Sequence, residues 1–373
     1  MIYEVIDMIY LDNAASTSVS MGVQNKLTSV LAHYGNPSSL HAYGYSANNE
    51  ILIASELIAS KINCSKDEIY YTSGATMSNN VFIQGFMKRH PDGQIIYSAV
   101  EHNDIIMLCE SYGDKAHKLS VNHDGSIDYV ELRKLNNEYE NIPVLNVIQC
   151  ANGETGVVQN IKSITQTVHD YSQAWIYMDA TQYIPYYPID VEAMGIDAMG
   201  MSGQKIHCIK GTGMLYINKN VEIDPIIYGE QGLIGGTPNV FGIACLGQAF
   251  KELKYDNTDA LLEKISYFGE ELGVQKNTNM PTLPNNLNIQ FDGINAEQFV
   301  ELLSEMGVCA SAGSACSSGN AKPSHVLLAM GYSPEEAGSF VRFTISEETS
   351  YKELDKAVDI INYCRKVMEG NAR

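Results

Sequence analysis

The chain of 373 residues lacks the features that mark membrane, secreted and nucleic-acid-binding proteins. No apolar run approaches the roughly 18 residues that cross a bilayer, and the first residues include Glu4 and Asp7 where a signal peptide carries Lys or Arg. Basic residues are few, 24 against 44 acidic ones, and the net charge of -20 disfavours binding to a phosphate backbone. We therefore expect a cytoplasmic protein that binds neither membranes nor nucleic acid.

The sequence also lacks CxxC pairs and the GxGxxG and GxxxxGK[ST] motifs, so zinc sites, disulfide frameworks, dinucleotide sites and P-loops lose their main support. No metal is predicted. Packing or incidental roles are predicted for seven of the eight cysteines: Cys64, Cys109, Cys150, Cys208, Cys245, Cys309 and Cys364. Cys316 differs, because the surrounding "SAGSACSSG" is too polar and too rich in small residues to bury it.

Length and composition favour two domains with large cores, since the chain exceeds the size at which one core stops growing and 45% of its residues are hydrophobic. From about residue 45 to 220, short apolar runs alternate with helical patterns, which predicts an α/β layer with a largely parallel sheet. A helical pattern then runs from about Val240 to Gly273, and the composition changes after it. We predict a large α/β domain over residues 14–256 and a small α+β domain formed by residues 1–13 and 257–373.

Within the predicted small domain, "FVRFTIS" alternates as a strand does. The alternation puts Val341, Phe343 and Ile345 on one face and Arg342 on the other. Two capping boxes, Ser333 with Glu336 and Ser350 with Glu353, predict the starts of the last two helices.

Two segments suggest chemistry at the edge of the sheet. Asp179 closes a predicted strand in "YMDATQ", and Lys205 follows the next strand in "MSGQKIHCIKGTG". A lysine amine and a carboxylate at this edge suit pyridoxal phosphate, as the Schiff-base group and the partner of the pyridine nitrogen. Taken alone the pair is weak, because a surface lysine and a strand-end aspartate occur in any α/β protein.

Two further segments strengthen that interpretation. "YYTSGATMSNN" reads as a strand, a turn and a helix start, and amides at a helix N-terminus can hold a phosphate, although an ordinary capped turn has the same pattern. In "SAVEHND", His102 follows another strand end, where it either stacks on a cofactor and moves protons or serves a structural purpose.

The motifs resemble those of cysteine desulfurases, in the class V aminotransferase group of fold type I pyridoxal phosphate enzymes. They are, in order, "YLDNAAS", "YGNPSSLHAYG", "TSGATMSNN", "EHND", "NGETGVVQNI", "MDATQ", "SGQKIHCIKGTG" and "SAGSACSSG", and they cover nearly the whole chain. The resemblance implies a large domain with a mainly parallel sheet flanked by helices, a smaller α+β C-terminal domain, and pyridoxal 5'-phosphate in Schiff-base linkage to Lys205.

The resemblance also implies the roles of matching positions. Catalysis falls to Lys205, Cys316 and His102, and the substrate is bound by Arg342 and Asn152. The residues that match cofactor contacts, besides Lys205 and His102, are Asp179, Gln182, Ala75, Thr76, Ser202, Gln204 and Thr237. Thr237 matches the threonine that reaches the neighbouring subunit's phosphate, which implies a homodimer. For Arg342, a surface or interdomain ion pair is the alternative.

Cys316 resembles the family's sulfur-accepting nucleophile. The implied reaction converts L-cysteine to L-alanine and leaves a persulfide on Cys316 for an acceptor protein, in iron-sulfur cluster assembly or another sulfur pathway. A thiolate is the reactive form, and a stretch of Gly and Ser supplies mobility, so we expect disorder around Cys316.

Four departures from the family pattern concern the site: Gln204 replaces a histidine, Gly153 an asparagine and Met77 a glutamate, and "YGEQGLIGGT" before Thr237 is short and lacks arginine. Two alternatives to a desulfurase stay open. One is a related pyridoxal phosphate lyase or aminotransferase with another substrate, and the other is a weakly catalytic homologue that binds a partner.

Overall fold

The computed structural model describes residues 8–230, 232–274, 278, 280–313 and 323–370. Cys316 and the predicted disorder around it lie outside the described residues.

The centre of the fold is a seven-stranded sheet whose strands end at one edge in polar residues. Its strands are β2 (Ile69–Thr72), β3 (Gln94–Ser98), β4 (Ala116–Leu119), β5 (Val144–Val147), β6 (Ala174–Asp179), β7 (Ala198–Ser202) and β8 (Gly213–Ile217). Their order across the sheet is β2, β8, β7, β6, β5, β3, β4, and only β8 runs against its neighbours. The predicted mainly parallel sheet is confirmed. The sequence analysis missed β4, a short strand with only one fully buried residue, Leu119.

Helices cover both faces of this sheet. They are α1 (Met21–Val30), α2 (Ala42–Ile62), α3 (Ala75–Arg89), α4 (Asn103–Glu110), α5 (Tyr129–Glu138), α6 (Ile161–His169) and α7 (Val240–Glu252). One apolar core joins α3 and α4 to the sheet, and the other joins α1, α2, α5, α6 and α7 to its opposite face. β5 is buried along its whole length, as expected of a central strand covered on both faces.

A third apolar core lies in the C-terminal part of the chain, together with residues near the N-terminus. It is formed by β1 (Ile9–Tyr10), β9 (Asn286–Gln290), β10 (Val308–Cys309), β11 (Phe340–Thr344), α8 (Thr258–Leu272), α9 (Ala296–Glu305) and α12 (Tyr351–Met368). Val341, Phe343 and Ile345 enter this core, and Arg342 lies on the opposite face, as predicted. Two short helices, α10 (His325–Ala329) and α11 (Pro334–Ala337), precede β11.

The capping boxes at Ser333 and Ser350 are both present, at the starts of α11 and α12. The continuous helical pattern from Val240 to Gly273 is instead two helices, because α7 ends at Glu252 and α8 begins at Thr258. Asn257 occupies the N-cap position of α8, and such a polar residue favours a helix start over a helix interior. The domain boundary at residues 256 and 257 stays a prediction.

In the part of the chain that the structure describes, no helix is long and apolar enough to span a bilayer. The same residues contain no group of three or more His, Cys, Asp or Glu side chains that could hold a metal ion.

Candidate active site

Most of the predicted site residues line one cavity of about 430 Å³. β3, β6 and β7 are parallel, so the residues that follow or close them meet at one edge of the sheet. The predicted residues that line the cavity are Ala75, Thr76, His102, Asn152, Asp179, Gln182, Ser202, Gln204, Lys205 and Arg342. The structure therefore brings together all of them that it describes, except Thr237.

Lys205 ends a short 3₁₀ turn, Gly203–Lys205, immediately after β7. Its Nζ donates hydrogen bonds of 2.6 Å to the carbonyl oxygens of Ala14 and Ala15. The amine is thus held at the wall of the cavity by the segment that follows β1.

Asp179 closes β6 and is 8% exposed. Its Oδ1 accepts from the amide of Thr181 at 2.9 Å, and its Oδ2 lies 3.5 Å from Asn79 Nδ2. Burial raises the pKa of Asp179, and the Thr181 hydrogen bonds oppose that rise. Because a buried charge is costly without an opposite charge, the Asp179 carboxylate favours a cationic partner in the cavity.

His102 forms the N-cap of α4 and pairs with Asp104, with 2.6 Å between His102 Nδ1 and Asp104 Oδ1. An ionised carboxylate only accepts hydrogen bonds, so Nδ1 carries the hydrogen. The hydrogen bond to Asp104 raises the pKa of His102, and burial works against it. The imidazole is thereby fixed in orientation and is able to hold a proton.

The N-terminus of α3 opens onto the cavity. Gly74 is its N-cap, with φ at 149° and no side-chain cap hydrogen bond, and the helix continues for 15 residues from Ala75. A Cβ at Gly74 would lie 3.4 Å from Ser202 Oγ, so the glycine brings the serine hydroxyl close to the helix end. The arrangement suits an anion, because backbone amides and the helix dipole favour negative charge there.

Gln182 and Gly153 occupy neighbouring positions in the cavity wall. Gln182 Nε2 donates to the carbonyl oxygen of Ala14 at 3.0 Å. A Cβ at Gly153 would lie 2.9 Å from that Nε2. A side chain at position 153, where the family pattern has asparagine, would therefore need space that Gln182 fills in this chain.

Asn152, predicted as a substrate contact, uses its side-chain oxygen and nitrogen to hold a turn. Its Oδ1 accepts from the amides of Glu154 and Thr155, at 2.9 and 2.8 Å, and its Nδ2 donates to the carbonyl oxygen of Val100 at 3.1 Å. Asn152 fixes the loop after β5 against the loop after β3.

Arg342 lines the cavity but is not free of partners. Its Nη2 lies 2.7 Å from Asp12 Oδ1, and its Nη1 donates to the carbonyl oxygen of Gly153 at 2.9 Å. The side chain is 6% exposed, and its Nε has no hydrogen-bond partner among the described residues. The ion-pair alternative raised for Arg342 is thus present, inside the cavity wall.

Thr237 is exposed and lies outside this cavity, in a second one of about 380 Å³ that shares Ser73 and Met77 with the first. Ser73 donates to Met77 Sδ through its amide, at 3.3 Å, and through its hydroxyl, at 3.4 Å. Met77, which replaces the family's glutamate, thus stabilises the turn before α3. Gln204 contributes its carbonyl oxygen to Thr17.

Sequence reasoning missed several polar residues of the site: Asp12, Asn79, Asp104 and Glu154. Asn79 is fully buried, and its position among the apolar residues of α3 was a usable signal. Asp104 stands two positions after His102, and Glu154 lies in the quoted "NGETG". The pairing of Asp12 with Arg342 left no local signal, because 330 positions separate the two residues.

The seven cysteines among the described residues are all buried or half-buried. Burial raises the pKa of each, to about 12 for Cys64 and Cys245. A thiol held protonated is a poor nucleophile, which agrees with the packing roles predicted for them.

Comparison with known proteins identifies the family. Residues 9–356 match the family model Aminotransferase class-V. Cysteine desulfurase IscS from Methanosarcina thermophila is 34% identical over 95% of this chain and 91% of its own length. A cysteine desulfurase from Nostoc sp. is 33% identical over 95% of this chain and 92% of its own length.

Solved structures agree. A NifS-like protein from Rickettsia africae, 29% identical, superposes with a TM-score of 0.87 over 96% of this chain and 99% of that one. A structure described as SspA in complex with cysteine, 31% identical, gives 0.79 over 90% of this chain and 98% of that one. The fold, the cavity and these relatives together show that the chain belongs to the cysteine desulfurase family of class V aminotransferases.

Proposed function

We propose that this protein is a pyridoxal phosphate-dependent cysteine desulfurase. It converts L-cysteine to L-alanine and transfers the sulfur to Cys316. The observation that carries the proposal is the convergence of Lys205, Asp179 and the open N-terminus of α3 on one cavity that Arg342 also lines. The structure described as SspA in complex with cysteine supports L-cysteine as the substrate.

The residues of the cavity fit pyridoxal phosphate, on which the family depends. The α3 N-terminus and Ser202 suit the phosphate, and the buried Asp179 carboxylate suits a protonated pyridine nitrogen. Lys205 supplies the amine that links to the cofactor. When bound, the cofactor's conjugated ring stabilises negative charge on the substrate's Cα.

The protein's own groups then divide the remaining tasks. Lys205 and His102 hold and move protons, and Asp104 keeps His102 in one orientation. Arg342 binds the substrate carboxylate, with its planar fork suited to two oxygens. Cys316 attacks the substrate sulfur, so the Cβ–S bond breaks as an S–S bond forms. One proton ends on Cβ, and the thiol of Cys316 becomes a persulfide.

A homodimer and a sulfur acceptor protein complete the proposal. Thr237 is exposed, lines the second cavity and is not among the residues that line the active-site cavity of its own chain. A threonine so placed is available to a neighbouring subunit's phosphate. The persulfide on Cys316 passes to an acceptor, with iron-sulfur cluster assembly as one destination.

A second candidate is a class V enzyme for a different amino acid. Two observations favour it. The polar side-chain atoms of Asn152 are used in hydrogen bonds within the turn, and position 153 is a glycine without a side chain. Both positions would otherwise contact substrate, so a panel of amino acids tests this candidate directly.

The deciding assay incubates the reconstituted protein with L-cysteine and dithiothreitol, and measures alanine and sulfide. We expect both products in equal amounts, and a fall of more than about a hundredfold in sulfide release for Cys316→Ala, because the nucleophile is lost. Cys309→Ala is the matched control, a half-buried cysteine in β10 that should leave the rates unchanged. Sulfide release by Cys316→Ala at the wild-type rate, or products only from another amino acid, would contradict the proposal.

A further inference from the structure

His325 lines the active-site cavity together with His102, and the proposed reaction leaves it without a role. It is the first residue of α10, directly after the N-cap Ser324. Its Nε2 lies 2.9 Å from the carbonyl oxygen of Glu101, although 224 positions separate the two residues. Glu101 is the residue that precedes His102. A histidine from the C-terminal part of the chain thus contacts the backbone that carries His102.

The contact with Glu101 fixes the tautomer of His325. A carbonyl oxygen only accepts hydrogen bonds, so the hydrogen of the His325 ring lies on Nε2 and points to Glu101. Burial lowers the pKa of His325, and the charges of His102 and Lys118 lower it further, against the hydrogen bond to Glu101 and the charge of Glu110. The ring is therefore neutral at neutral pH and acts on Glu101 as a donor of fixed direction.

Glu101 is fully buried, and different elements hold its side chain and its backbone. Its Oε1 accepts from the amide of Gln149 at 2.7 Å, in the loop after β5. The preceding carbonyl oxygen, that of Val100, accepts from Gln149 Nε2 at 2.5 Å and from Asn152 Nδ2 at 3.1 Å. The loop after β5 therefore fixes this segment as far as the Glu101 side chain, and α10 fixes the Glu101 carbonyl. Because a peptide unit is planar, the direction of this carbonyl also sets the amide of His102.

The start of α10 is itself held in place, so His325 contacts Glu101 from a fixed position. Val326 and Leu327 are buried in one apolar cluster with Val100, the residue before Glu101. Ser324 caps the helix, and its Oγ accepts from the amide of Leu327 at 3.2 Å. Apolar packing and a helix cap therefore place the His325 ring against the segment that it contacts.

We propose that His325 is a positioning residue for His102, because its hydrogen bond to the Glu101 carbonyl oxygen fixes the peptide unit that joins Glu101 to His102. The inference rests on the proposed function, in which His102 moves protons. Proton transfer requires the two groups to lie within hydrogen-bond reach, so a displaced His102 slows the reaction while the substrate still binds. The C-terminal part of the chain thereby sets the geometry of a catalytic histidine that follows β3.

The test compares His325→Gln with His325→Asn. Both side chains carry the same amide, but only the longer Gln brings its nitrogen to about the place of the imidazole Nε2. For His325→Asn we expect kcat for L-cysteine to fall about tenfold, while binding of L-alanine, followed by cofactor absorbance, stays within about twofold of wild type. His325→Gln should stay within about threefold of the wild-type kcat. A wild-type kcat in His325→Asn, equal losses of kcat and alanine binding, or equal losses in the two variants would overturn the inference.

A second readout does not depend on the proposed reaction. Diethyl pyrocarbonate modifies only unprotonated imidazole, and the hydrogen bond to Asp104 raises the pKa of His102, so His102 should react slowly at about pH 6. If His325→Asn loosens that pairing, the His102 pKa falls and its modification, quantified by mass spectrometry of the reconstituted protein, should become about threefold faster. The matched control is His169, which lies 2.9 Å from Asp197 and also has a raised pKa, and its rate should not change.

The labelling experiment has two further arms. His325→Gln should modify His102 at the wild-type rate. His325→Phe keeps a ring without a hydrogen to donate, and it replaces His325→Asn in both measurements if that variant does not fold. An unchanged His102 rate in the variant that lacks the donor, or an equal increase at His169, would overturn the inference. A wild type that makes no alanine but shows the expected labelling changes would refute only the proposed function.

Discussion

The cavity has a floor, where polar side chains hydrogen-bond to one another, and a rim, where some buried polar atoms lack such partners among the described residues. We define the floor as Asn79, Asp104, Tyr177 and Asp179. The rim comprises Asp12, Gly153, Glu154 and Arg342. The floor side chains all have hydrogen-bond partners, and their role for a ligand is the charge of Asp179, whereas the rim also offers polar atoms without partners among the described residues.

The centre of the floor is Asn79. It accepts from the Tyr177 hydroxyl at 2.6 Å, and its Nδ2 lies 3.2 Å from Asp104 and 3.5 Å from Asp179. One buried amide thus links the carboxylate that orients His102 to the carboxylate proposed for the pyridine nitrogen. Such a network holds its members in one arrangement before any ligand binds.

Arg342 is the central residue of the rim, and several groups compete for its guanidinium group. Arg342 already pairs with Asp12 and Gly153, and Glu154 lies near its charge. A substrate carboxylate must share or replace these partners. On the proposed function, the floor retains the cofactor and the rim determines the affinity for substrate.

Among changes to the floor and the rim, the largest effect is expected from Asp179→Asn in the floor. The substitution keeps the shape but removes the charge, so a protonated pyridine nitrogen loses its partner and the pyridoxal phosphate is retained roughly ten- to hundredfold less tightly. Dialysis followed by absorbance of the bound cofactor measures this loss. Retention equal to that of wild type would mean that the floor does not hold the cofactor.

A smaller effect is expected from Asp12→Asn at the rim. Removing this charge leaves a buried arginine with a weaker partner, so unfolding should become easier by about 1–3 kcal/mol. The KM for L-cysteine should fall, because the substrate carboxylate no longer competes with Asp12. Thermal denaturation and steady-state kinetics measure the two changes.

The exposed ion pair of Arg365 and Glu369 provides the control for that experiment. Glu369→Gln should change stability by no more than about 1 kcal/mol, since exposed pairs contribute little. A KM that rises in Asp12→Asn would show that Asp12 positions Arg342 for the substrate and does not compete with it.

The sequence was informative where local pattern decides the structure. Apolar runs between about residues 45 and 220 predicted the largely parallel central sheet, and the strand ends at Asp179 and Lys205 predicted which edge carries the cavity. Alternation in β11 correctly separated Arg342 from the apolar core. These features depend on neighbouring residues, which a single sequence displays.

Pairings between distant segments were not predictable in the same way. Arg342 meets Asp12 only because β11 lies beside the segment after β1, through the bridge between Asp12 and Thr344. Likewise, the place of Gln182 beside Gly153 depends on how two loops approach each other. Tertiary packing determines such contacts, and neither hydrophobic period nor motif spacing encodes them.

The smallest effect is expected from Gly153→Ala, which tests the contact between Gly153 of the rim and Gln182 in the cavity wall. The added Cβ would lie 2.9 Å from Gln182 Nε2 and 3.1 Å from its Cδ and Cγ, so this side chain must move. Its hydrogen bond to Ala14 would weaken, and we expect kcat/KM for L-cysteine to fall about threefold. Gln182→Ala combined with Gly153→Ala should show no further loss beyond Gln182→Ala alone, because the clash is gone. If Gly153→Ala alone had a higher kcat/KM than wild type, the position of Gln182 would not be what matters, and the glycine itself would limit the rate.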